Sequence, residues 1–495
     1  MRGRNLFRKP ACTLVLCLGI ILAGSAAQAS LTIGTNFTGQ TMLDEPALNS
    51  GFRFIPPDTD GAVGPNHIVE LINGAYAVYN KSGGFVSSTG LDTFWANAGV
   101  TVSGGFPSTF DPRVVYDPGT QRWFASALDS GSPTNNFLLA VSKTSDPTAG
   151  WTGFKITGAP GGLFTDFDTL GHNKDQVYLA SNNFPAVGPA TSTTIVAVPK
   201  ASLLAGNTNN LSRFDLLNPN DTGYAIQPLI DPNATGTELL YSDYNTPAGF
   251  FKRSQLLNTD TNSPALNTTD QLIPVTAYGL PPKGTQKGGP NNIETGDNRF
   301  SSSIVSVAKS GDGTVWGVQG VQNPTTGRAA LRWFQIDPTT NVILQEGLIT
   351  KAGFDYYYGS VAVNSKGCVV IGFSGSSADT FISAYAVEGE TVAGVTTFGD
   401  AILLKAGTHS YDVEFSSGRN RWGDYSVTMV DPENEDIFWT IQEWASDFST
   451  LFNSDTWSTQ ITELICTPIP LPSTLMLLGS GLLSLAGWRR RFRKS

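Results

Sequence analysis

The stretch Arg113-Val114-Val115-Tyr116-Asp117-Pro118-Gly119 leads, three residues later, into Trp123-Phe124-Ala125. This unit consists of an apolar run, a polar turn and a second apolar run. Because Pro presets φ and Gly accepts positive φ, an Asp-Pro-Gly turn between two β-rich runs predicts a hairpin. Similar units recur at intervals of about sixty residues, which is the pattern of a repeat architecture. The seven units begin at Ala62, Arg113, Thr169, Leu229, Ile304, Val361 and Val427.

Each unit leaves room for a third and a fourth strand, such as the run Leu331–Ile336. Four-stranded units repeated around an axis make a β-propeller, which protects sheet edges by radial closure. We therefore predict an all-β propeller over residues 30–468. Seven blades are expected, with six as the alternative because the interval 245–300 is long and rich in loop residues. No amphipathic helix longer than the short stretch 201–205 is expected in this body.

The N-terminus has the layout of a secretory signal. Four basic residues precede an apolar run from Leu14 to Ala23, and Ala27-Gln28-Ala29 offers the small residues that a signal peptidase reads. We predict that residues 1–29 are a signal peptide, that signal peptidase is a partner, and that cleavage leaves Ser30 first. A permanent membrane anchor is the alternative.

The C-terminus carries a second targeting signal. Pro470-Leu471-Pro472 precedes an apolar segment that ends at Trp488, and Arg489-Arg490-Arg491 follow at once. A basic cluster after an apolar helix stays on the cytoplasmic side of the membrane. This tail resembles the PEP-CTERM sorting signal of Gram-negative bacteria that make exopolysaccharide.

The resemblance implies that an exosortase recognises and cuts the tail, residues 469–495. It implies export through the inner membrane, membrane contact only through the C-terminal helix before processing, and a final place at the cell surface or outside the cell. Leu471 stands where the family has Glu, so removal of the helix is left open. The alternative is an anchor that is never removed, because a segment of this length can just span a bilayer of about 30 Å.

Charge and cysteine content narrow the function further. Removing both signals takes away nine basic residues and no acid, so the net charge of the chain changes from −10 to −19. Such a chain is not expected to bind nucleic acid, whose phosphates need a basic surface.

Cys368 and Cys466 are the cysteines that remain after both signals are removed, and an oxidising compartment permits a disulfide between them. Two buried, unpaired thiols are the alternative. The spacing of Cys and His predicts no structural zinc site.

Polar or aromatic residues stand near the start of several first strands. They are Asp60, Asp111, Asp168, Gln227, Tyr358 and Asp424. Equivalent positions of successive propeller blades converge near one mouth of the central channel. The aspartates Asp60, Asp111, Asp168 and Asp424 are therefore candidates for ligand or ion binding, with Ca²⁺ as the ion that prefers oxygen ligands. The alternative is that each Asp caps a turn or binds neighbouring backbone amides. No catalytic residue and no further cofactor is predicted.

Two stretches of the body, 56–67 and 421–426, resemble large exported bacterial propeller-like proteins of undefined activity, loosely called sialidase-like. The chain departs from the Phe/Tyr-Arg-Ile-Pro motif of sialidases, since Phe52-Arg53-Phe54-Ile55-Pro56 has an extra Phe. The arginines of a sialidase site would have to come from Arg53, Arg299 or Arg421. We interpret the chain as an exported surface or matrix protein that binds exopolysaccharide or another macromolecule without catalysis. A glycan hydrolase and a purely structural matrix component are the alternatives.

Overall fold

The predicted hairpins form in the computed structural model of the protein, which describes residues 31–131, 134–243, 249–269, 272–290, 292–307, 313–415 and 418–466. Seven sheets of four or five strands lie in these ranges, together with one two-stranded hairpin. The chain is thus an all-β propeller of seven blades, as predicted.

The first strand of each blade is its inner strand, and the others follow outward in chain order. Blade 7 is the exception, because the first strand of the chain, β1 (Thr32–Thr41), is its outer strand. Blade 1 contains β2 (Asp60–Val63), β3 (His67–Ile72), β4 (Ala75–Asn80) and β5 (Phe85–Gly90). Blade 2 contains β6 (Thr109–Asp117), β7 (Arg122–Asp129), β8 (Asn136–Ser142) and β9 (Trp151–Thr157). Blade 3 contains β10 (Phe164–His172), β11 (Gln176–Phe184), β12 (Ser192–Pro199) and β13 (Ser212–Leu217).

The remaining blades vary more in their outer strands. Blade 4 contains β14 (Tyr224–Pro228), β15 (Thr237–Asp243), β16 (Phe250–Leu257), β17 (Ala265–Asn267) and β18 (Leu272–Pro274). Blade 5 contains β19 (Val305–Ser306), β20 (Val315–Gln322), β21 (Ala329–Asp337) and β22 (Val342–Ile349). Blade 6 contains β23 (Phe354–Val363), β24 (Cys368–Ser377), β25 (Thr380–Val392), β26 (Val395–Phe398) and β27 (Ile402–Lys405). The hairpin β28 (Glu414–Phe415) and β29 (Arg419–Asn420) precedes blade 7, which contains β30 (Val427–Val430), β31 (Ile437–Ser449) and β32 (Ser454–Ile465).

Each predicted repeat corresponds to an inner strand and the strand next to it. The unit that begins at Arg113 is the end of β6 and the start of β7, and the unit that begins at Val427 is β30 with the start of β31. Blades bury large side chains against one another, and Trp123, Trp316 and Trp439 are fully buried. These tryptophans therefore serve the core between blades rather than an exposed sugar-binding face.

In the described ranges, helices are few and short. They are α1 (Glu45–Leu48), α2 (Leu91–Asn97), α3 (Lys200–Leu204), α4 (Pro219–Thr222) and a 3₁₀ turn, Pro147–Ala149. The expected stretch 201–205 corresponds to α3, but α2 is longer, so the expectation that no helix exceeds that stretch was wrong. Phe94 and Trp95 of α2 are buried against blades 1 and 2. None of the described helices is long and apolar enough to cross a membrane.

The ring closes by pairing the two ends of the described chain. Strand β1 runs antiparallel to β32, with Thr32 opposite Ile465 and Thr41 opposite Ser458. Blade 7 therefore combines one N-terminal strand with three C-terminal strands, and neither end can leave without opening the ring.

A disulfide joins Cys368 of β24 to Cys466, the residue that follows β32. It links blade 6 to the end of blade 7 across 98 residues of sequence. Both cysteines are buried, so the bond fastens the closing blade to its neighbour from inside the fold.

Removing this bond should destabilise the ring. A disulfide that closes a long loop contributes about 2–4 kcal/mol, chiefly by restricting the unfolded chain. We expect the double variant Cys368→Ser/Cys466→Ser to lose about that much free energy of unfolding, measured by guanidinium denaturation without reductant. Dithiothreitol should lower the wild-type midpoint to that of the variant and leave the variant unchanged. Equal midpoints for the two oxidised proteins would show that the bond does not stabilise the ring.

Candidate functional site

The inner strands approach the propeller axis through a repeated β-bulge. In four blades the pairing with the second strand is interrupted at the same level. The interruptions lie between Phe110 and Arg113, Asp166 and Thr169, Tyr224 and Gln227, and Tyr357 and Ser360. A residue inside each bulge has positive φ, and these residues are Asp111, Phe167, Ala225 and Tyr358. Bulges re-aim side chains, and here they fix which residues face the axis.

The residue after each bulge is polar, and it or a residue near the same level bonds to another blade or to the segment that enters one. The bonds run from Val114 N–H to Asp60 Oδ1, from Arg113 Nε to Asp168 O, from Thr169 Oγ1 to Ile226 O, from Gln227 Nε2 to Phe300 O, from Ser302 Oγ to Ser426 O, and from Ser426 Oγ to Ser360 Oγ. The described inner strands are thereby held together side by side around the axis.

Arg113 lies at the centre of this arrangement. Its guanidinium lies 3.3 Å from the ring centroid of Tyr425 in the segment leading to blade 7. Its Nη1 donates to the Ser301 carbonyl at 3.1 Å and lies 3.6 Å from Oδ2 of Asp60. Together with its bond to Asp168, Arg113 of blade 2 thus contacts blade 1, blade 3 and the segments that enter blades 5 and 7. We call Arg113, Asp60, Asp168 and Tyr425 the axial hub.

Burial controls the protonation of the hub. Only 3% of Arg113 and none of Asp168 is exposed. Loss of solvation raises the pKa of both Asp60 and Asp168 to about 7, although the Arg113 charge opposes the rise. Oδ2 of Asp168 accepts a 2.7 Å hydrogen bond from Ser126, whereas its Oδ1 has no partner within the described ranges.

A layer of charged side chains covers the hub where the chain enters the inner strands. We call Asp58, Asp111, Asp166, Glu294, Arg299, Arg421 and Asp424 the charged mouth. Nη2 of Arg421 donates to Asp424 at 2.6 Å, and its Nε lies 3.4 Å from Glu294. The Arg299 guanidinium stacks 4.8 Å above the Phe167 ring.

Like charges meet in the charged mouth. Burial and the neighbouring Asp424 raise the pKa of Asp58 to about 7. Burial and Asp166 likewise hold the pKa of Asp111 well above its usual value. Although burial opposes it, Asp424 and Asp58 raise the pKa of Arg421 above its ordinary value. The mouth therefore places permanently charged guanidinium groups beside carboxyl groups, of which Asp58 takes up a proton near neutral pH.

The four predicted aspartates come together at this end of the axis but lie at two levels. Asp60 and Asp168 belong to the buried hub, and Asp111 and Asp424 belong to the partly exposed mouth. Two of their carboxylates bind backbone amides of another blade: Asp60 accepts from Val114, and Asp111 accepts from Phe167 at 3.2 Å. Such bonds are those expected of the structural interpretation of these residues.

Sequence reasoning missed part of the site, including Arg113 and Tyr425 of the hub. Asp58 and Asp166 each stand two residues before a predicted aspartate, and that repeated spacing was an available signal. Glu294 and Arg299 come from the long connection to blade 5, and no local pattern marks them. Of the arginines considered for a sialidase-like site, Arg299 and Arg421 lie in the mouth, whereas Arg53 stacks on Phe452 instead.

The described residues give no support for the calcium expectation. Among them, the only group of three Cys, His, Asp or Glu ligand atoms within 4.8 Å of one another is Cys368, Glu388 and Cys466. The two sulfurs of that group are bonded to each other in the disulfide. The aspartates of the hub and mouth do not form such a group.

The predicted processing sites fall outside the described residues. They are Ala29 and Ser30 at the N-terminal cleavage site, Pro470, Leu471 and Pro472 of the sorting motif, and Arg489, Arg490 and Arg491 of the basic stop. The sorting signal is nevertheless identified from sequence, since residues 468–491 match the family model of the PEP-CTERM protein-sorting motif. A comparison with curated protein sequences gave no match.

Solved structures with a similar arrangement share little sequence with the chain. The α-L-arabinofuranosidase Arb93A from Fusarium graminearum is 11% identical, with a TM-score of 0.38 over 72% of this chain and 93% of that one. A protein of unknown function from Dyadobacter fermentans is 10% identical, with a TM-score of 0.38 over 88% and 99%. An α-L-arabinanase from Penicillium chrysogenum is 13% identical, with a TM-score of 0.36 over 72% and 93%. We assign no activity on the basis of these similarities.

The raised pKa values of the hub predict how stability depends on pH. A buried carboxyl whose pKa is about 7 in the folded protein and 3.8 in the free residue binds protons more tightly when folded. Its contribution to stability therefore falls as the pH rises from about 4 through 7. Urea denaturation of wild type and of Asp168→Asn at pH 5, 6, 7 and 8 should show a shallower decline for the variant.

Asp337→Asn is the matched control for this experiment. Asp337 is a partly exposed residue at the end of β21 whose pKa is lowered by hydrogen bonds from Thr340 and Thr339, so it does not titrate in this range. The free energy of unfolding of Asp337→Asn should change with pH as steeply as that of wild type. If Asp168→Asn also kept the wild-type slope, Asp168 would not titrate near neutral pH in the folded protein.

Proposed function

We propose that this protein is a surface or matrix component that binds polysaccharide through the charged mouth without cleaving it. The location of the protein follows from the PEP-CTERM motif, which implies export and exosortase-mediated sorting in a Gram-negative bacterium. The ligand, a secreted polysaccharide such as the exopolysaccharide of the same cells, is the proposal. It rests on the chemistry of the mouth.

The observation that supports it is the alternation of donors and acceptors in a partly exposed, rigid site. Arg421 and Arg299 supply planar guanidinium groups, and Asp424, Asp111 and Asp166 supply carboxyl groups. A sugar hydroxyl both donates and accepts hydrogen bonds, so neighbouring hydroxyls can bond to a carboxylate and a guanidinium at once. Asp111 and Asp166 lie on inner strands, and Arg421 is held by Asp424 and Glu294, which limits the ordering cost of binding.

The partners of the carboxylates favour binding over hydrolysis. Asp58 already accepts bonds from the Asp424 amide and from Asn73, each at 2.7 Å. Asp60 is directed at Arg113 and Asp111 at the Phe167 amide. Glycoside hydrolysis needs one carboxyl group free to donate a proton and another free to act as base or nucleophile. Carboxylates held by backbone amides and guanidinium groups fit a structural and binding role better.

The same proposal gives the order in which the chain is exported, folded and sorted. Residues 1–29 direct export and are removed by signal peptidase, which leaves Ser30 first. Residues 30–468 form the propeller domain. Residues 469–495 hold the chain in the inner membrane until the exosortase acts, after which the propeller reaches the cell surface or the extracellular matrix.

Retention of the protein on immobilised polysaccharide tests the proposed ligand. Exported protein is passed over immobilised exopolysaccharide of the producing strain, over alginate and over dextran, and reducing ends are measured in the same samples. We expect retention without new reducing ends. The double variant Arg299→Gln/Arg421→Gln should bind at least roughly tenfold more weakly, since a charged hydrogen bond is worth more than 1.4 kcal/mol.

Arg122→Gln is the matched control. Arg122 lies at the turn between β6 and β7, at the far end of its blade, and donates to the Gln121 carbonyl. It should bind like wild type. New reducing ends that vanish when Asp60, Asp111, Asp168 and Asp424 are changed to Asn would establish a hydrolase instead. Neither retention nor product would leave a structural matrix protein.

Mass spectrometry of protein taken from the cell envelope tests the processing. We expect a mature chain that begins at Ser30 and lacks Arg489–Arg491. Leu471→Glu should raise the processed fraction, because it restores the Pro-Glu-Pro sequence of the family. A mature chain that keeps its basic C-terminus in both proteins would show that the tail is a permanent anchor.

A further inference from the structure

A carboxyl group lies against the disulfide that fastens blade 6 to the end of blade 7. Oε1 of Glu388, in β25, is 2.9 Å from Sγ of Cys466 and 3.6 Å from Sγ of Cys368. Only 7% of Glu388 is exposed, and both cysteines are buried. The cysteines belong to an apolar cluster that includes Val370, which pairs with Glu388 across the sheet, and Leu464. Little water therefore reaches this carboxyl group.

The carboxyl group of Glu388 lacks a hydrogen-bond donor while the disulfide is intact. Its Oε2 has no partner among the described residues, and the polar atoms that Oε1 meets there are the two sulfurs. A disulfide sulfur carries no hydrogen, whereas each thiol of the reduced protein can donate one. A buried carboxylate without a donor is costly. The negative charge of Glu388 is therefore less favourable in the oxidised protein than in the reduced one.

The charges around Glu388 do not compensate for the missing donors. Burial and the charge of Glu390 on the same strand raise the pKa of Glu388 to about 7 in the protein with an intact disulfide. Asp400, in the turn after β26, is exposed. The charged groups of the other neighbouring turns and strands have partners of their own, and these are Lys366, Lys405, Glu435, Asp436 and Glu463. Hydrogen bonds from two thiols would lower the pKa of Glu388, because they stabilise its charged form.

We propose that Glu388 carries a proton for the Cys368–Cys466 pair, so that the disulfide closes the ring more firmly as the pH falls. In the reduced protein Glu388 is a carboxylate that accepts from both thiols. The bond between the two Sγ atoms forms as the S–S bond of an external disulfide breaks, and that disulfide takes up two electrons. The Cys466 proton moves to Glu388 and the Cys368 proton to the external disulfide, whose second proton comes from water. Reduction by a dithiol reverses each transfer.

The direction of the pH dependence follows from this proton. Closure takes up one proton wherever Glu388 is protonated in the oxidised protein and charged in the reduced one. The equilibrium constant for closure therefore rises as the pH falls through 7, and it is constant at higher pH, where Glu388 is charged in both forms. One proton changes the constant by up to roughly tenfold between pH 8 and pH 6. This site is separate from the polysaccharide site and does not depend on it.

A redox titration tests the proposal. The exported protein is equilibrated with reduced and oxidised dithiothreitol at pH 6, 7 and 8, starting from both redox states, and thiols are counted by alkylation and mass spectrometry. We expect the constant for closure to rise at least roughly fivefold from pH 8 to pH 6 in wild type. It should not change in Glu388→Gln, whose amide does not titrate. No rise in wild type, or an equal rise in both proteins, would overturn the proposal.

Glu390→Gln is the matched control. It removes the neighbouring charge that helps to raise the pKa of Glu388, but it leaves Glu388 beside the disulfide. The constant for closure should still rise with falling pH, and the rise should begin at a lower pH than in wild type. A constant that no longer depends on pH in Glu390→Gln would mean that Glu388 does not carry the proton.

Infrared difference spectroscopy detects the proton itself. Spectra are taken at pH 6 before and after reduction of the disulfide by a phosphine. Wild type should show the carbonyl band of a protonated carboxyl group in the oxidised protein, and this band should be lost on reduction. Glu388→Gln should show no such change. Absence of the band in wild type would contradict the proposal. Thermal unfolding of each variant first confirms that it is folded.

Discussion

Closure of the ring is the constraint on which the other features depend. Glu70 of blade 1 is buried at the joint between blade 1 and blade 7. It accepts hydrogen bonds from the amide of Gln40 in β1 and from the hydroxyls of Tyr79 and Thr459. One carboxylate thus joins a strand from each end of the chain to the first blade. If this joint opened, the inner strands would no longer be held parallel around an axis.

The closed ring also explains how a charged residue can lie on its axis. An isolated buried arginine is costly, and its cost is offset only when several groups accept its hydrogen bonds. Arg113 meets carbonyl or carboxylate oxygens from blades 1 and 3 and from the segment entering blade 5, and it packs on the ring of Tyr425. Those groups converge because the inner strands run side by side. The hub in turn ties together blades that are not neighbours in the ring.

The sequence was sufficient for the architecture because hairpin turns are local. Asp117-Pro118-Gly119 and its equivalents mark where an inner strand ends, and all seven predicted units are hairpins of separate blades. The six-blade alternative arose from the long interval 245–300, which is rich in loop residues. That interval holds two short strands, β17 and β18, beside β16. Its later part reaches across to blade 6, where Thr285 bonds to Asp355 at 3.0 Å. Contacts between such distant residues leave no periodic signal.

The site was harder to predict than the fold for the same reason. In sequence, Arg113 is one residue of a β-strand, and nothing local distinguishes it from Arg332 of β21. Only the bulge at Asp111, which shifts the register by one position, turns it to the axis. The aspartates were found because their residue type draws attention, but their separation into the hub and the mouth could not be read without the bulges. Arg332 pairs with Glu346 on the next strand instead.

The hub has one further consequence, which is that it divides the axis into two unlike compartments. The carboxyl groups of Asp111 and Asp424 lie on one side of it, whereas the aliphatic side chains of Val305 and Val363 lie on the other, where they line a cavity. Arg113 belongs to both, because its charge acts on Asp58 in the mouth while the residue also lines the cavity. Any change in the cavity that altered how strongly Arg113 attracts Asp60 would also alter the protonation of the carboxyl groups around them. Coupling between the compartments would require no movement of the blades, since it would act through the charge of one buried side chain.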